Sequence, residues 1–287
     1  MNEFNKSQDT HLWYTEYHTP NSGITLKVKE TLLRVKSPFQ ELVILDTYEY
    51  GRMMLLDGLV MLTDRDEFIY HEMITHIPVN INPSVKKALI IGGGDCGTLR
   101  ELSRYSFIEN VKMVEIDEEV VKASRKFFPQ LASNLPKNAE IVIGDGIDFV
   151  EKTDDVFDLI IIDSTDPIGP AEGLFTDSFY SNCRRILSEE GMMVLQAESP
   201  YFHAESIKIF SDRLRRIFGF IRPYLAFIPV YPSGMWEFII CSKNELDVSL
   251  KKADLISHFE SSLKYYNHDV HKGAFMLPTF VKNIYGI

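Results

Sequence analysis

Short, β-rich apolar runs broken by turn residues fill the first part of the chain, at residues 24–28, 32–35, 42–45, 53–56 and 59–62. They predict strands. Asp57-Gly58 between the last two predicts a type I′ hairpin, so the segment reads as a small antiparallel unit. Residues 66–77 then predict a helix with Phe68, Ile69, Met73, Ile74 and Ile77 on one side, and Pro78 and Pro83 mark a boundary. After Lys86 the pattern changes. Apolar strands at 88–91, 111–116, 140–143, 159–162 and 192–196 alternate with helices at 98–104, 118–127, 177–187 and 204–218, and apolar runs at 225–230 and 238–241 close the series. This order predicts the α/β class: a doubly wound, Rossmann-like sheet of methyltransferase type, preceded by a small antiparallel β domain. The expected domains are residues 1–80, β-rich and ending in a helix, and residues 81–287, the sheet domain.

At 287 residues and 45% hydrophobic, the chain can bury a substantial core. A net charge of −11 argues against nucleic acid, which needs a basic face. Residues 141–180 hold ten Asp or Glu and one Lys, a stretch that attracts cations and repels phosphates. No apolar run approaches the roughly 18 residues of a spanning helix, and residues 1–10 are polar, so a cytoplasmic location and no membrane partner are expected. Cys96, Cys183 and Cys241 are odd in number and far apart, as isolated thiols in a reducing compartment would be.

The strand ends carry the chemistry. Gly92-Gly93-Gly94-Asp95-Cys96-Gly97 closes the first strand of the second domain, and Glu115 stands about twenty positions on, where a carboxylate can accept from both ribose hydroxyls. Helix capping is the alternative role for Glu115. Asp95 would repel a pyrophosphate, so the loop suits a cationic nucleoside better than NAD or ATP, although Asp95 also suits a helix N-cap. Asp145 in Gly144-Asp145-Gly146 can accept from an adenine amino group or simply make a turn. Asp163 and Asp166 follow a strand that must be buried, and two carboxylates with no basic residue between them suit an alkylammonium. A nucleoside with a positive 5′ group suggests a sulfonium, and Asp95 favours the decarboxylated donor, whose terminus is a bare ammonium.

The stretches Phe39-Gln40-Glu41-Leu42, Leu55-Leu56-Asp57-Gly58 and Thr63 to Met73 resemble the spermidine synthase family of aminopropyltransferases. So do the glycine run, Val114 to Asp117, Gly144 to Gly146, Asp163 to Glu172 and Tyr231-Pro232-Ser233-Gly234. The resemblance covers nearly the whole chain. It implies that Gln40, the run from Gly92, Glu115, Asp145, Gly146 and Pro170 contact the nucleoside. It implies that Tyr70, His71, Asp95, Asp163, Asp166 and Tyr231 handle the amines, with Asp163 as catalytic base. On their own, Gln40, His71, Tyr231 and Trp236 read as surface or packing residues. Cys96 departs from the family, where glycine is common, and a thiol is expected to be tolerated there at negative φ. A homodimer or homotetramer is implied.

The expected reaction is displacement at the propyl carbon of decarboxylated S-adenosylmethionine by an amine of putrescine, giving spermidine and methylthioadenosine. No metal and no cofactor are expected, the donor being a co-substrate. Residues 168–175 read either as a lid or as an ordinary crossover loop. The rival readings are an amine methyltransferase, a non-catalytic polyamine-binding protein and, less well supported by Asp95, a nicotinamide dehydrogenase.

Overall fold

A computed structural model of the chain describes residues 12–133, 135–166, 169–249 and 254–287. The chain divides into two compact units, Met1–Arg65 and Asp66–Ile287.

The first unit is a five-stranded antiparallel sheet, β1 (Leu12–Thr19), β2 (Ser22–Lys36), β3 (Glu41–Thr47), β4 (Gly51–Leu56) and β5 (Leu59–Thr63), in sequence order. Asp57 (φ 48°) and Gly58 (φ 82°) make the β4–β5 turn, both in the left-handed region that a type I′ hairpin requires. The expected pair of runs at 24–28 and 32–35 is one strand, β2. Its register against β3 slips between Val28 and Glu30 and again between Thr31 and Leu33, so each irregularity interrupts the pattern that would have revealed a single element.

The second unit opens with α1 (Glu67–Ile81) and then winds a seven-stranded sheet. Its strands are β6 (Lys87–Gly92), β7 (Asn110–Glu115), β8 (Ala139–Ile143), β9 (Phe157–Asp163), β10 (Leu187–Gln196), β11 (Phe220–Phe227) and β12 (Met235–Ser242). Between them lie α2 (Gly97–Leu102), α3 (Glu118–Phe127), α4 (Pro129–Ala132), α5 (Gly146–Lys152), α6 (Asp177–Ile186) and α7 (Ala204–Phe218), and α8 (His268–Ala274) and α9 (Thr279–Tyr285) follow. The order across the sheet is β11-β12-β10-β9-β6-β7-β8, with β12 antiparallel to both neighbours. The chain runs outward from β6 to β8 and then returns to lay β9 on the other side of β6. That reversal opens a crevice at the carboxyl ends of β6 and β9, where open α/β sheets bind ligands.

Both faces of this sheet are covered, so its strands are apolar nearly throughout. Leu89, Ile91, Val114, Ile160, Ile162, Met193 and Leu195 pack with Phe179, Cys183 and Ile186 of α6, Leu214 and Phe218 of α7 and Val281 of α9. On the sheet, α1 lies against β9, β10 and β11, and α2 lies against β7.

The domain boundary differs from the expected 80/81. It falls between Arg65 and Asp66 because α1 packs against α2 and the sheet. The helix also runs on through Pro78 to Ile81. Every residue from Ile69 to Ile81 is buried, so packing holds the last turn, and the Asn82 N–H closes it on the Pro78 carbonyl (3.0 Å).

Glu72 ties this helix to the C-terminal part of the chain by accepting the backbone N–H groups of Lys264 (2.9 Å), Tyr265 (2.9 Å) and Tyr266 (2.7 Å). Glu72→Ala leaves three donors without their charged acceptor and is expected to cost about 3 kcal/mol or more in urea unfolding. Unchanged stability would show that water replaces the carboxylate there.

Candidate active site

Gly92 ends β6 at φ 81°, opposite Asp163 at the end of β9, and the Gly93 N–H closes the turn on the Asp163 carbonyl (2.8 Å). A Cβ at Gly92 would run into that carbonyl, so the crevice needs glycine here. The loop then passes Asp95 and turns at Cys96, which is buried at φ 70°. The condition under which a thiol was expected to be tolerated, a negative φ, is therefore not met. A left-handed non-glycine residue costs about 1–2 kcal/mol.

Asp95 and Asp163 lie within electrostatic reach of each other, and the Tyr231 phenol feels both of them and Asp166. Oδ2 of Asp163 accepts from the Thr98 hydroxyl (2.6 Å), and the buried Tyr70 phenol donates to the same carboxylate. Burial, then repulsion from Asp95, pushes Asp163 up to about 6, against opposing pulls from His71, Thr98 and Tyr70. Asp95 goes the other way: His71 and the Gly97 N–H (2.6 Å) outweigh burial and hold it below its usual range. Asp166 accepts from Gln196 Nε2 (3.1 Å), and burial raises it. The Tyr231 phenol is close enough to feel Asp66, Asp163, Asp95 and Asp166. Its ring lies 6.2 Å from Tyr70 and 4.7 Å from Trp236, which gives the carboxylates an aromatic wall.

His71 is placed differently from a ligand-facing residue. Its Nδ1 meets Glu67 Oε2 (2.7 Å) and its Nε2 meets Asp95 Oδ1 (3.2 Å), so both ring nitrogens are committed to carboxylates. The acidic stretch from Asp64 to Glu67 is likewise engaged internally. Asp64 pairs with Arg52 (2.8 Å), Asp66 accepts the Val230 N–H (3.1 Å), and Glu67 grips Arg100 through both oxygens (3.0 Å each).

Of the residues expected to contact a nucleoside, Glu115 is buried and accepts the N–H groups of Gly94 (3.1 Å) and Asp117 (2.8 Å), and burial raises it to about 7. It does not cap α3; Asp117 does, through the Glu119 N–H. Asp145 is exposed and caps α5 through the Ile147 N–H (2.8 Å), with Gly146 buried beside it. Gln40 lies in the first unit, between β2 and β3, with its N–H on Ser37 Oγ (3.1 Å). Pro170 falls in a 3-10 helix over Gly169–Phe175, and Ile168, the first residue of the lid candidate, lies outside the described residues.

Sequence reading missed Glu198, Gln196 and His203. Glu198 follows β10 at φ 60°, is buried, and is raised to about 7 by burial and then by Asp166. Gln196 links the Asp166 carboxylate to the Glu198 backbone, donating to Asp166 and accepting the Glu198 N–H (2.9 Å). His203 Nδ1 stands 3.9 Å from Glu198. An acidic residue just past an apolar strand is the signal that exposed Asp163, and it was present here too. Thr98 carried none, being a threonine in a short helix.

Residues 67–252 match the family model of the spermine/spermidine synthase domain, and residues 12–64 match that of the spermidine synthase tetramerisation domain. The chain belongs to the spermine/spermidine synthase family. The polyamine aminopropyltransferase of Alkaliphilus metalliredigens is 48% identical over 94% of this chain and 96% of its own length. The spermidine synthase of Thermotoga maritima superposes with a TM-score of 0.90 at 40% identity, covering 96% of this chain and 95% of that one. A spermidine synthase bound to the transition state analogue AdoDATO gives 0.91 at 39% identity, covering 100% and 98%. Membership in this family bears out the expected enzyme class, an aminopropyltransferase of polyamine biosynthesis, and its Rossmann-like fold. Among the described residues, no helix is long and apolar enough to cross a membrane.

Asp163 is ionised at a cost to the ligand-free fold. A carboxyl raised from 3.8 to about 6 binds its proton more tightly folded than unfolded, so stability falls as pH rises through that window and stays lower above it. Asp163→Asn should therefore stabilise the ligand-free protein by on the order of 2 kcal/mol above pH ~6, with the gain gone below pH ~4. Thermal melts across pH test this; a variant less stable at pH 8 than at pH 4, relative to wild type, contradicts it.

Proposed function

We propose that the chain transfers the aminopropyl group of decarboxylated S-adenosylmethionine to putrescine, with Asp163 as the base and Asp95 as the seat of the donor's ammonium. The observation that carries this reading is the set of carboxylates at one sheet edge, half-buried Asp163 and Asp166 and buried Glu198, all held above their usual range. Such a set is unfavourable when empty and is relieved by a diamine, which brings one positive charge to each end of an apolar stem. The complex of a related spermidine synthase with a transition state analogue supports the same reaction.

In the proposed arrangement Glu115 takes the ribose hydroxyls, and Asp145 and Gly146 lie at the base, with Gln40 and Pro170 kept as nucleoside contacts. Asp166 and Glu198 hold the far ammonium of putrescine, while Tyr70, Tyr231 and Trp236 line its stem. The near amine attacks the propyl carbon, the carbon–sulfur bond breaks, and its electron pair leaves on a neutral thioether. No oxyanion develops, so positioning and proton removal are the main tasks. An alkylammonium near pKa ~10.4 gives up its proton reluctantly, and a carboxylate raised to about 6 narrows the gap left by an ordinary one by roughly 2 units. The donor is consumed, so this chemistry calls for no cofactor. The exposed Leu12, Trp13 and Tyr17 of β1 agree with a homo-oligomer built through the first unit. The three buried free cysteines agree with a cytoplasmic setting.

Asp163→Asn is expected to cut turnover by about 10²–10⁴ while methylthioadenosine still binds. Wild-type kcat/KM should fall below pH ~6, where Asp163 takes a proton and can no longer accept one. Glu198→Gln is expected to raise KM for putrescine by roughly tenfold and leave KM for the donor little changed. Mass analysis of the product decides the reaction: a methylated amine, or no methylthioadenosine release, would overturn it.

A further inference from the structure

We infer that Glu67, clamped by Arg100, is a positioning residue: it holds the His71 ring with both N–H groups donating, so that a fixed positive charge stands behind Asp95 and keeps the Asp95–Asp163 pair ready for cations. The inference rests on the proposed aminopropyl transfer for its kinetic readout, though not for its chemical premise.

The geometry is a row of alternating charges running from α2 to the glycine loop. Arg100 Nε meets Glu101 (2.6 Å), and its two terminal nitrogens meet the two oxygens of Glu67 (3.0 Å each). Glu67 meets His71 Nδ1 (2.7 Å), and His71 Nε2 meets Asp95 (3.2 Å). A carboxylate at each nitrogen demands a proton on each, since a neutral ring offers only one N–H and would face the other carboxylate with a lone pair. The ring is also held in place. It is 2% exposed, Tyr70 stands edge-on at 5.5 Å, and a Cβ on Gly97 would fall within the ring, so glycine there leaves the space it occupies. In keeping with this, burial, which alone would lower His71, is overcome by Asp95 and Glu67, which bring it up to about 10. Glu67 does not touch the crevice carboxylates itself; it acts through His71.

The groups facing His71 are Glu67 and Tyr70 of α1, Asp95 of the loop and, one ion pair away, Arg100 of α2. Those facing Asp163 are Asp95 and Cys96 of the loop, His71 and Tyr70 of α1, Thr98 of α2, Glu115 of β7 and Tyr231. Among these only the imidazolium is positive. Removing its charge leaves Asp95 and Asp163 to repel each other without compensation, and one of them then holds a proton at higher pH.

Glu67→Gln separates charge from shape. Its amide can still donate to Nδ1, leaving Nε2–H on Asp95, while His71 turns neutral at a lower pH. The expected result is an acid limb of kcat/KM moved upward by about 1 unit, with turnover at pH 9 within a few-fold of wild type. Glu67→Asp, which restores the charge, should bring the limb part of the way back. A uniform loss of turnover with the limb unmoved would reduce Glu67 to a structural role and overturn the inference. If Glu67→Gln does not fold, ¹⁵N spectra of the wild-type histidines decide. His71, assigned by its loss in His71→Asn, should show two N–H groups through pH 8. Titration near pH 6.5 overturns the inference, whether or not the wild type transfers an aminopropyl group, and a failure of transfer alone leaves the His71 result standing.

Discussion

Buried negative charge is the quantity this fold has to manage. A carboxylate taken out of water stays ionised only when positive charge or directed N–H groups replace its hydration. The second unit does this for most of its acids. Glu72 has three backbone donors, Glu101 is driven well below its usual range by His76 and by Arg100 and Arg104, and Glu67 has His71 and Arg100. Asp163 and Asp166 receive less, a few hydrogen bonds, and Glu198 has His203 at 3.9 Å. The contrast between satisfied and underserved carboxylates outlines the place for an incoming cation more sharply than the presence of acidic residues does.

Topology determines where that deficit falls. Because the chain reverses direction across the sheet between β8 and β9, the ends of β6 and β9 become neighbours although about seventy residues separate them. Gly92 lets the loop after β6 fold down onto the Asp163 backbone, which brings Asp95 and Asp163 within electrical reach. The next strand out, β10, adds Glu198 and Gln196 on the same edge. A left-handed φ at Glu198 is an uncommon conformation for a side chain of that size, and strain of this kind gathers where function over-determines the backbone.

Much of this is legible in the sequence because strand ends in a doubly wound sheet announce themselves: an apolar run stops, and the next few residues stand at the sheet edge. Asp95, Asp163 and Asp166 are found that way, and α7 is placed with its observed limits. The features that escape do so for identifiable reasons. Bulges hide the unity of β2, and burial on nearly all sides carries α1 past Pro78. Glu115, read as a possible cap, does not cap α3, and Asp145, read as a possible turn, caps α5, because a cap depends on which N–H points at the carboxylate and spacing alone does not say. Asp64, Asp66 and Glu67 find Arg52, Val230 and Arg100 as partners from elsewhere in the sequence, besides His71 one turn along α1. Pairing of that sort is invisible until the chain is folded.

The same electrostatics make Asp163, rather than its neighbours, the group suited to be the proton acceptor of the proposed reaction. A base must be ionised at rest yet basic enough to take a proton, and the two requirements conflict in any one environment. Asp95 meets only the first, being held low by His71. Asp166 also has a carboxylate near it, Glu198, but its side-chain donor is Gln196 and not the two hydroxyls that hold Asp163. Asp163 alone combines burial, a carboxylate beside it and hydroxyl donors from Thr98 and Tyr70, a balance that leaves it near 6, ionised at neutral pH but more basic than a free aspartate. Once an ammonium neutralises Asp95, the repulsion that raises Asp163 weakens, and the carboxylate is most easily kept ionised when donor and acceptor are both bound.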